Sequence, residues 1–407
     1  MTQPARAPAA ISRRALVRGS AALGAAAVLA PAVRAATPAP LVVWFTVEGA
    51  KAMRRLGEAF TAETGVPVIV ETPDASDGPS KFQQAAASGK GPDLYIYAHD
   101  RIGEWIAGGL LHAVAPSRAL QNDIDPLAWQ GFTYRGRQWG YPYAIEAVTL
   151  IHNKALVPVP PKSFDEVFAL DAQLARQGKH AMLWDYTNTY FPWPLLAAGG
   201  GFAFRQRPDG TFDARSTGVN NPGAMAGAQV LERMFREGLL PSGSGYAEME
   251  AAMAQGRVAM MINGPWGWVN LQRVGIDFGI ARIPTVAGKA AAPFVGIKGI
   301  LINRATRQRE LAVEFIEQHL LTLPGLRAID QAESIGAPAS RSYFAERSAD
   351  PRIRGIMDSA KDGQPTPSIP EMGRFWAAMK SSLTTLSEGR QSAREAMDAA
   401  ARRILAA

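Results

Sequence analysis

The nine residues "DLYIYAHDR" (93–101) decide the fold class of this chain. Their apolar run is typical of a strand that is buried on both faces of a sheet. His99, Asp100 and Arg101 follow directly, so polar side chains stand at the carboxyl end of the strand. In open α/β sheets, ligands bind at this end of the strands. Asp100 and Arg101 therefore form a salt bridge, a catalytic couple or a pair of ligand-binding groups.

The flanking segments alternate between strand and helix patterns. "LVVWFT" (41–46) and "PVIVE" (67–71) are predicted strands, and the helix between them is predicted to end at Gly65. The alternation resumes after residue 150 and ends in a helix that Ser392 and Glu395 cap. This pattern predicts an α/β fold with mostly parallel sheets covered by helices on both faces. Because no repeat or low-complexity linker interrupts it, we expect two α/β lobes joined by extended crossing segments.

The first 35 residues have the composition of an export signal. They contain five arginines, no acid, the apolar run "AALGAAAVLA" (21–30) and a small-residue end. The pair Arg13 and Arg14 predicts the twin-arginine pathway, which exports folded proteins. A membrane anchor is the alternative, but the run is too short and too rich in alanine to span a bilayer. We expect residues 1–35 to be a cleaved signal peptide and the mature protein to be periplasmic.

Charge and composition exclude several kinds of function. The net charge of +7 falls to +2 without the five arginines of the signal, so the pI of about 9.6 is no argument for nucleic-acid binding. The absence of cysteine excludes disulfides, thiolate metal sites, a cysteine nucleophile and a lipid-anchoring cysteine. The five histidines show no metal-binding spacing, and neither a phosphate loop nor a nucleophile elbow is present. We expect no metal and no cofactor.

Aromatic residues recur in polar, turn-rich segments, namely "NTYFPWP" (188–194), "NGPWGW" (263–268) and "RFWAAMK" (374–380). A sugar ring packs its apolar C–H face on an aromatic ring, and its hydroxyls need fixed hydrogen-bond partners. These segments therefore predict a polyol-binding cleft between two lobes. The acid pairs Asp165/Glu166 and Glu248/Glu250 could be glycosidase carboxylates, but on helices they are interpreted as solvated surface.

Several segments resemble the periplasmic maltose/maltodextrin-binding proteins of ABC importers. They include "SGKGPDLYIYAHDRIGEW", "YPYAIEAVTLIHNKALVP", "AMMINGPWGWVN" and "SIPEMGRFWAAMK", and the likeness runs in one order from about Leu41 to Ile404. The resemblance implies a two-lobed periplasmic binding protein fold, with a ligand cleft between the lobes and a hinge at crossing strands. The N-terminal lobe would comprise residues 36–145 plus 300–350, and the C-terminal lobe residues 146–299 plus 351–407.

The same resemblance implies a non-catalytic, monomeric protein that binds maltose or a related α-glucoside and delivers it to a membrane permease. A secreted glycoside hydrolase that uses Asp100 or Glu146 as acid or base is one alternative, and an interaction module is another. The resemblance implies a clamp of Asp100 and Arg101 on sugar hydroxyls. The full set of implied sugar-contacting residues is Glu48, Tyr97, Asp100, Arg101, Glu146, Asn188, Tyr190, Trp266, Trp376 and Lys380.

This chain departs from the family pattern at several of these positions. The lysine that follows the acid after the first strand is replaced by Gly49, unless Lys51 takes its place. Ala377 replaces an aromatic residue, and Lys380 replaces an arginine. Tyr97 stands for a tryptophan and Asn188 for an acid. Because these changes remove stacking area and charge, we expect a preference for disaccharides over longer maltodextrins.

Overall fold

The computed structural model describes residues 38–74, 77–208, 210–241 and 243–406. The predicted signal peptide, residues 1–35, lies outside the described residues. No helix in these described ranges is long and apolar enough to cross a membrane.

The strands are short, apart from one of nine residues near the centre of the larger sheet. They are β1 (Leu41–Trp44), β2 (Val68–Glu71), β3 (Leu94–Ala98), β4 (Thr133–Tyr134), β5 (Arg137–Gln138), β6 (Tyr141–Glu146), β7 (Thr149–Asn153), β8 (His180–Leu183), β9 (Arg205–Gln206), β10 (Phe212–Asp213), β11 (Val258–Asn263), β12 (Phe278–Ala281), β13 (Phe294–Ile302), β14 (Ala337–Pro338) and β15 (Gln364–Pro365).

The helices flank and connect these strands. They are α1 (Ala50–Thr64), α2 (Gly78–Ala87), α3 (Ile102–Ala107), α4 (Arg118–Asp123), α5 (Pro126–Gly131), α6 (Phe164–Leu174), α7 (Trp193–Ala197), α8 (Pro222–Arg236), α9 (Tyr246–Ala254), α10 (Trp268–Arg273), α11 (Arg309–Phe315), α12 (Leu323–Ala332), α13 (Arg341–Arg347), α14 (Pro351–Lys361), α15 (Met372–Ser387) and α16 (Ala393–Leu405). A short 3₁₀ turn at 99–101 directly follows β3, and another at 265–267 follows β11 after Gly264.

The larger sheet has the strand order β14-β6-β13-β3-β1-β2, and β15 pairs with the start of β13. Strand β1 runs parallel to β2 and β3, whereas β13 runs antiparallel to β3 and β6. The long β13 therefore lies between the end of β3 and the end of β6. In this register Lys298 is opposite Ala98 on one side and Ala144 on the other.

The second main sheet has the order β12-β7-β11-β8. Only the β8–β11 pair is parallel in it, and β7 runs antiparallel to both of its neighbours. All six residues of β11 are buried. The expected lobe boundary at residue 146 falls at the end of β6, between the two sheets, and the boundary at 300 falls within β13. The division into two lobes stays a prediction.

The mixed α/β architecture is confirmed, but the prediction of mostly parallel sheets is wrong. The parallel pair β1–β2 comes from a local strand–helix–strand unit, β1–α1–β2, which the sequence pattern detects. The antiparallel strands β6, β13 and β14 reach the larger sheet from distant parts of the chain. Hydrophobic pattern reports that a segment is a buried strand, but it carries no information on strand direction.

Local capping signals are mostly confirmed. Gly65 ends α1 with a φ of 74°, a left-handed conformation that suits glycine. Ser392 and Glu395 form a reciprocal capping box at α16. At α6 only half of a capping box is present. Ser163 accepts a hydrogen bond from the Glu166 N–H, but the Glu166 carboxylate accepts its bond from the Lys162 N–H instead.

Candidate functional site

Asp100 follows β3 in the 3₁₀ turn at 99–101 and is joined to α15. The indole Nε1 of Trp376 donates a hydrogen bond of 3.0 Å to Oδ2 of Asp100. Burial raises the pKa of Asp100 to about 6, while Arg101 and the Trp376 hydrogen bond act in the opposite direction. Two predicted site residues that are 276 positions apart in sequence are therefore in direct contact.

Arg101 forms an ion pair with Glu104 and not with its neighbour Asp100. Its guanidinium lies 3.0 Å from Oε2 of Glu104, one turn into α3. In the described structure no ion pair joins Arg101 to Asp100 within 4 Å. The amino end of α15 covers the Arg101–Glu104 pair, because a Cβ at Gly373 would lie 3.1 Å from the Glu104 carboxylate. The interpretation of Asp100 and Arg101 as a direct salt bridge is therefore wrong. The side chains of Asp100 and Arg101 are both half-buried.

His99, the first residue of the 3₁₀ turn, has a structural role. Its Nδ1 accepts a hydrogen bond of 2.9 Å from the Ile297 N–H, and its Nε2 lies 2.9 Å from the Thr366 carbonyl. These two bonds fix a neutral ring with the proton on Nε2. Burial lowers the pKa of His99 to about 4. The side chain ties the end of β3 to β13 and to the segment after β15.

Aromatic rings form a continuous series beside these polar groups. The Tyr190 ring centroid lies 6.2 Å from that of Trp266 and 6.4 Å from that of Phe294. The Phe294 ring lies 5.5 Å from Trp376, which holds Asp100. Tyr190, Trp266 and Trp376 are half-buried and Phe294 is buried. The first residue of β13 thus bridges aromatic residues from two distant segments, and Tyr190 extends the series to Trp266.

Glu146, the last residue of β6, is nearly enclosed. It is 6% exposed, and among the described residues its Oε1 has no hydrogen-bond partner. A Cβ at Gly296, which pairs with Glu146 across the sheet, would lie 3.2 Å from the Tyr190 hydroxyl. Burial raises the pKa of Glu146 to about 7, with Lys298 lowering it and Glu333 raising it further. Glu146 and Tyr190 are therefore neighbours, as the site prediction requires.

Lys298 and Glu333 are functional candidates that sequence reasoning missed. Nζ of Lys298 lies 2.6 Å from Oε1 of Glu333 and 3.9 Å from Oε1 of Glu146. The Thr46 hydroxyl hydrogen-bonds to the other oxygen of Glu333. A signal for Lys298 was available in the sequence. It is the one charge in the apolar run "FVGIKGILI", and charged residues are seldom buried without a partner.

Glu48 lies at another part of the site. It is exposed in the loop before α1, and its charge acts on Tyr246 and Glu250 of α9. The Tyr246 hydroxyl donates a 2.9 Å hydrogen bond to Glu250 and accepts one from Asn263. Burial raises the pKa of Glu250. The interpretation of Glu250 as solvated surface is therefore wrong, because its carboxylate is half-buried in a hydrogen-bonded cluster next to the segment that bears Trp266.

The remaining predicted residues lie at the edge of this arrangement. Tyr97 is half-buried and stacks on Tyr95 at 5.3 Å, and burial followed by the charge of Asp100 raises its pKa. Asn188 is exposed, and its side chain accepts a hydrogen bond from the Tyr190 N–H. Lys380 is exposed one turn beyond Trp376 on α15. Sugar-contacting roles for all ten predicted residues stay predictions.

Other features of the surface do not coincide with these residues. Two adjoining hollows of about 630 and 470 Å³ share Ala113, Arg137 and Arg309, and none of the ten predicted residues lines them. Within the described ranges no group of three or more histidine, aspartate and glutamate side chains is arranged to hold a metal ion.

The chain is similar to known sugar-binding proteins along most of its length. It is 27% identical over 369 residues to the galactooligosaccharide-binding protein of Bacillus subtilis, which covers 89% of this chain and 87% of that protein. It is 29% identical over 362 residues to a maltooligosaccharide ABC transporter solute-binding lipoprotein of Streptococcus pneumoniae, with 86% and 84% covered. The maltodextrin-binding protein of Bacillus subtilis is 28% identical over 316 residues, 75% of each chain.

The family assignment rests on a match that spans both main sheets. Residues 46–317 match the family described as bacterial extracellular solute-binding protein. The matched range begins at Thr46 in the polar network and includes Asp100, Glu146, Tyr190, Trp266 and Lys298. This chain is a member of the bacterial extracellular solute-binding protein family.

Proposed function

We propose that this protein is the non-catalytic, sugar-binding component of an ABC importer, and that it binds maltose or a related α-glucoside. The observation that carries the proposal is the contact between aromatic rings and partly buried carboxylates. Trp266, Tyr190, Phe294 and Trp376 form a series of rings, and Asp100 is hydrogen-bonded at one end of it. Aromatic faces would stack on pyranose rings, and the carboxylates would accept bonds from their hydroxyls.

The choice of an α-glucoside is supported by the names of two of the three relatives described above, those for maltooligosaccharide and maltodextrin. The third is named for a galactooligosaccharide, and it shares the longest aligned stretch of the three. The ring series by itself would accept the C–H face of either kind of sugar. The test must therefore include both classes.

The decisive experiment is a thermal-shift panel on the mature chain with glucose, maltose, maltotriose, maltohexaose and galactooligosaccharides. A ligand that binds only the native state at 100 times its Kd raises stability by about 2.7 kcal/mol. We expect the largest shift with maltose. A shift with galactooligosaccharides alone would overturn the α-glucoside assignment, and no shift with any sugar would overturn sugar binding. Release of glucose from maltooligosaccharides, abolished by Glu146→Gln, would instead identify a glycoside hydrolase.

The proposal includes export, delivery and domain motion. The protein would be exported by the twin-arginine pathway, act as a periplasmic monomer and deliver its sugar to a membrane permease. Its two lobes would close on the ligand by a hinge at the crossing strands, because each lobe supplies part of the contacts. Small-angle scattering tests closure. We expect a smaller radius of gyration with saturating sugar, and superimposable profiles would contradict the hinge.

A further inference from the structure

Lys298 carries a positively charged ammonium group in the middle of the buried strand β13. Its neighbours across the sheet, Ala98 and Ala144, are alanines, so neither competes for the ammonium group. Glu146 lies two residues beyond Ala144, on the same face of the sheet and diagonal to Lys298. The Lys298 side chain keeps 11% of its surface exposed.

Glu333 and Thr46 hold the ammonium in one position. Glu333, at the end of α12, is 3% exposed and lies 2.6 Å from the Lys298 ammonium. Its second oxygen accepts a bond from the Thr46 hydroxyl, and that hydroxyl also accepts one of 3.2 Å from the Gly49 N–H. The network therefore runs from β13 to the loop after β1, which ends at Gly49.

The network is incomplete on the side of Glu146. The distance of 3.9 Å between Nζ of Lys298 and Oε1 of Glu146 is too long for a hydrogen bond. In the described structure this buried oxygen has no other partner. A buried carboxylate oxygen without a partner is costly, and a ligand hydroxyl between the two groups would accept from Lys298 and donate to Glu146. The Tyr190 hydroxyl, next to Gly296, lies on the same side.

We propose that Lys298 and Glu146 together bind one hydroxyl-bearing edge of the sugar. Glu333 and Thr46 are positioning residues that hold the ammonium toward Glu146. Lys298 thus becomes a specificity-determining residue for a neutral sugar with adjacent hydroxyls. This inference rests on the proposed function.

The chain offers a matched control for this assignment. Lys51 is another lysine considered for the site, but it is exposed in the first turn of α1. Maltose binding is measured by calorimetry for Lys298→Met and Lys51→Met. We expect the Kd of Lys298→Met to rise at least tenfold and that of Lys51→Met to change less than twofold. The reverse order would overturn the proposal.

A second variant tests whether a loss of binding in Lys298→Met comes from misfolding. Lys298→Met leaves the buried Glu333 without its cation, so the double variant Lys298→Met/Glu333→Gln removes both charges and keeps an acceptor for Thr46. If the double variant melts as the wild type does and binds maltose within twofold of it, the proposal is wrong. If wild-type protein shows no shift with any sugar of the panel, the proposed function fails first, and this inference fails with it.

Two further readouts separate a ligand-binding lysine from a structural one. Monodeoxy maltoses lacking one hydroxyl each are tested on wild type and on the double variant. One of them should lose affinity for the wild type but not for the variant, and equal losses for every analogue would contradict direct contact. The second readout is the pH profile of maltose affinity from pH 6 to 8.

The pH profile depends on the groups that surround Glu146. Lys298 favours its ionised form, Glu333 and burial oppose it, and the Tyr190 and Tyr143 hydroxyls are its uncharged neighbours. Loss of Lys298 alone should therefore move the acid limb of the profile to higher pH. An unchanged profile in Lys298→Met would contradict a coupling between the two groups.

Discussion

Trp376 and Asp100 are joined by a hydrogen bond of 3.0 Å between the indole Nε1 and the carboxylate Oδ2. The bond links α15 to the turn after β3. Because an indole nitrogen is only a donor, Trp376 also fixes which Asp100 oxygen is used.

We expect Trp376→Phe to weaken sugar binding about tenfold or more. The ring is kept, but Asp100 loses a hydrogen bond of the charged kind, which contributes roughly 1.5–3 kcal/mol. The bond favours the ionised carboxylate, so its loss should also raise the pKa of Asp100 above about 6. Calorimetry measures the affinity. Trp139→Phe is the control, because its indole donates to the Tyr134 carbonyl in the β4–β5 hairpin, and it should leave the Kd unchanged.

Trp266→Ala should reduce sugar affinity by about 1–3 kcal/mol, which corresponds to the loss of a large stacking surface. Tyr190, at 6.2 Å, would lose its neighbour at the same time. Trp44→Ala is the control, since its indole bonds to Glu71 in the larger sheet. If Trp266→Ala binds the sugar as the wild type does and has a normal melting temperature, the predicted sugar-binding site is wrong.

The exposed Ala377 should limit the length of the bound sugar. We expect affinity to stay level or fall from maltose to maltohexaose, because no ring at position 377 extends the aromatic series past Trp376. Ala377→Trp should strengthen binding of maltotetraose and longer chains by about 1–3 kcal/mol while leaving maltose unaffected. Calorimetry across the series measures both effects, and affinity that rises steadily with length in the wild type would contradict the prediction.

Glu146→Gln should stabilise the sugar-free protein at pH 8 but not at pH 4. Burial raises the pKa of Glu146 to about 7 from an ordinary value of 4.5. The folded state therefore resists ionisation, and the stability of the wild type falls as the pH rises from about 4.5 to about 7. Glutamine removes this cost, which is roughly 1–3 kcal/mol. Urea unfolding of both proteins gives the difference, and a difference independent of pH would contradict the raised pKa.

His99→Ala should reduce the pH dependence of the free energy of unfolding on the acid side, where the pH falls from about 6.5 to 4. Burial lowers the pKa of His99 to about 4, so the unfolded chain binds this proton first as the pH falls. The wild type therefore loses stability between about pH 6.5 and 4, and the variant should not show this loss. The variant should also be less stable at pH 7 by about 1–3 kcal/mol, since the Ile297 N–H loses its acceptor. If the stability of the variant falls below pH 6.5 as steeply as that of the wild type, a group other than His99 binds that proton.

Many features of the fold follow from local sequence. The apolar run before Asp100 is a buried strand, Gly65 ends a helix, and Ser392 with Glu395 begins one. These features depend on residues within a few positions of each other, where hydrophobic spacing and capping chemistry decide the conformation. The position of Asp100 at the end of its strand is likewise a local property, and the sequence alone predicts it as a candidate.

Which side chains contact each other across long sequence separations was decided only by the tertiary structure. The sequence could pair Asp100 with its neighbour Arg101, but the fold gives it Trp376, and Arg101 pairs with Glu104. Lys298 approaches Glu146 because antiparallel pairing places β13 beside β6, and it contacts Glu333 because the end of α12 packs against the same strand. Hydrogen bonds and ion pairs need side chains within a few ångströms, and only the packed sheet brings residues so distant in sequence that close.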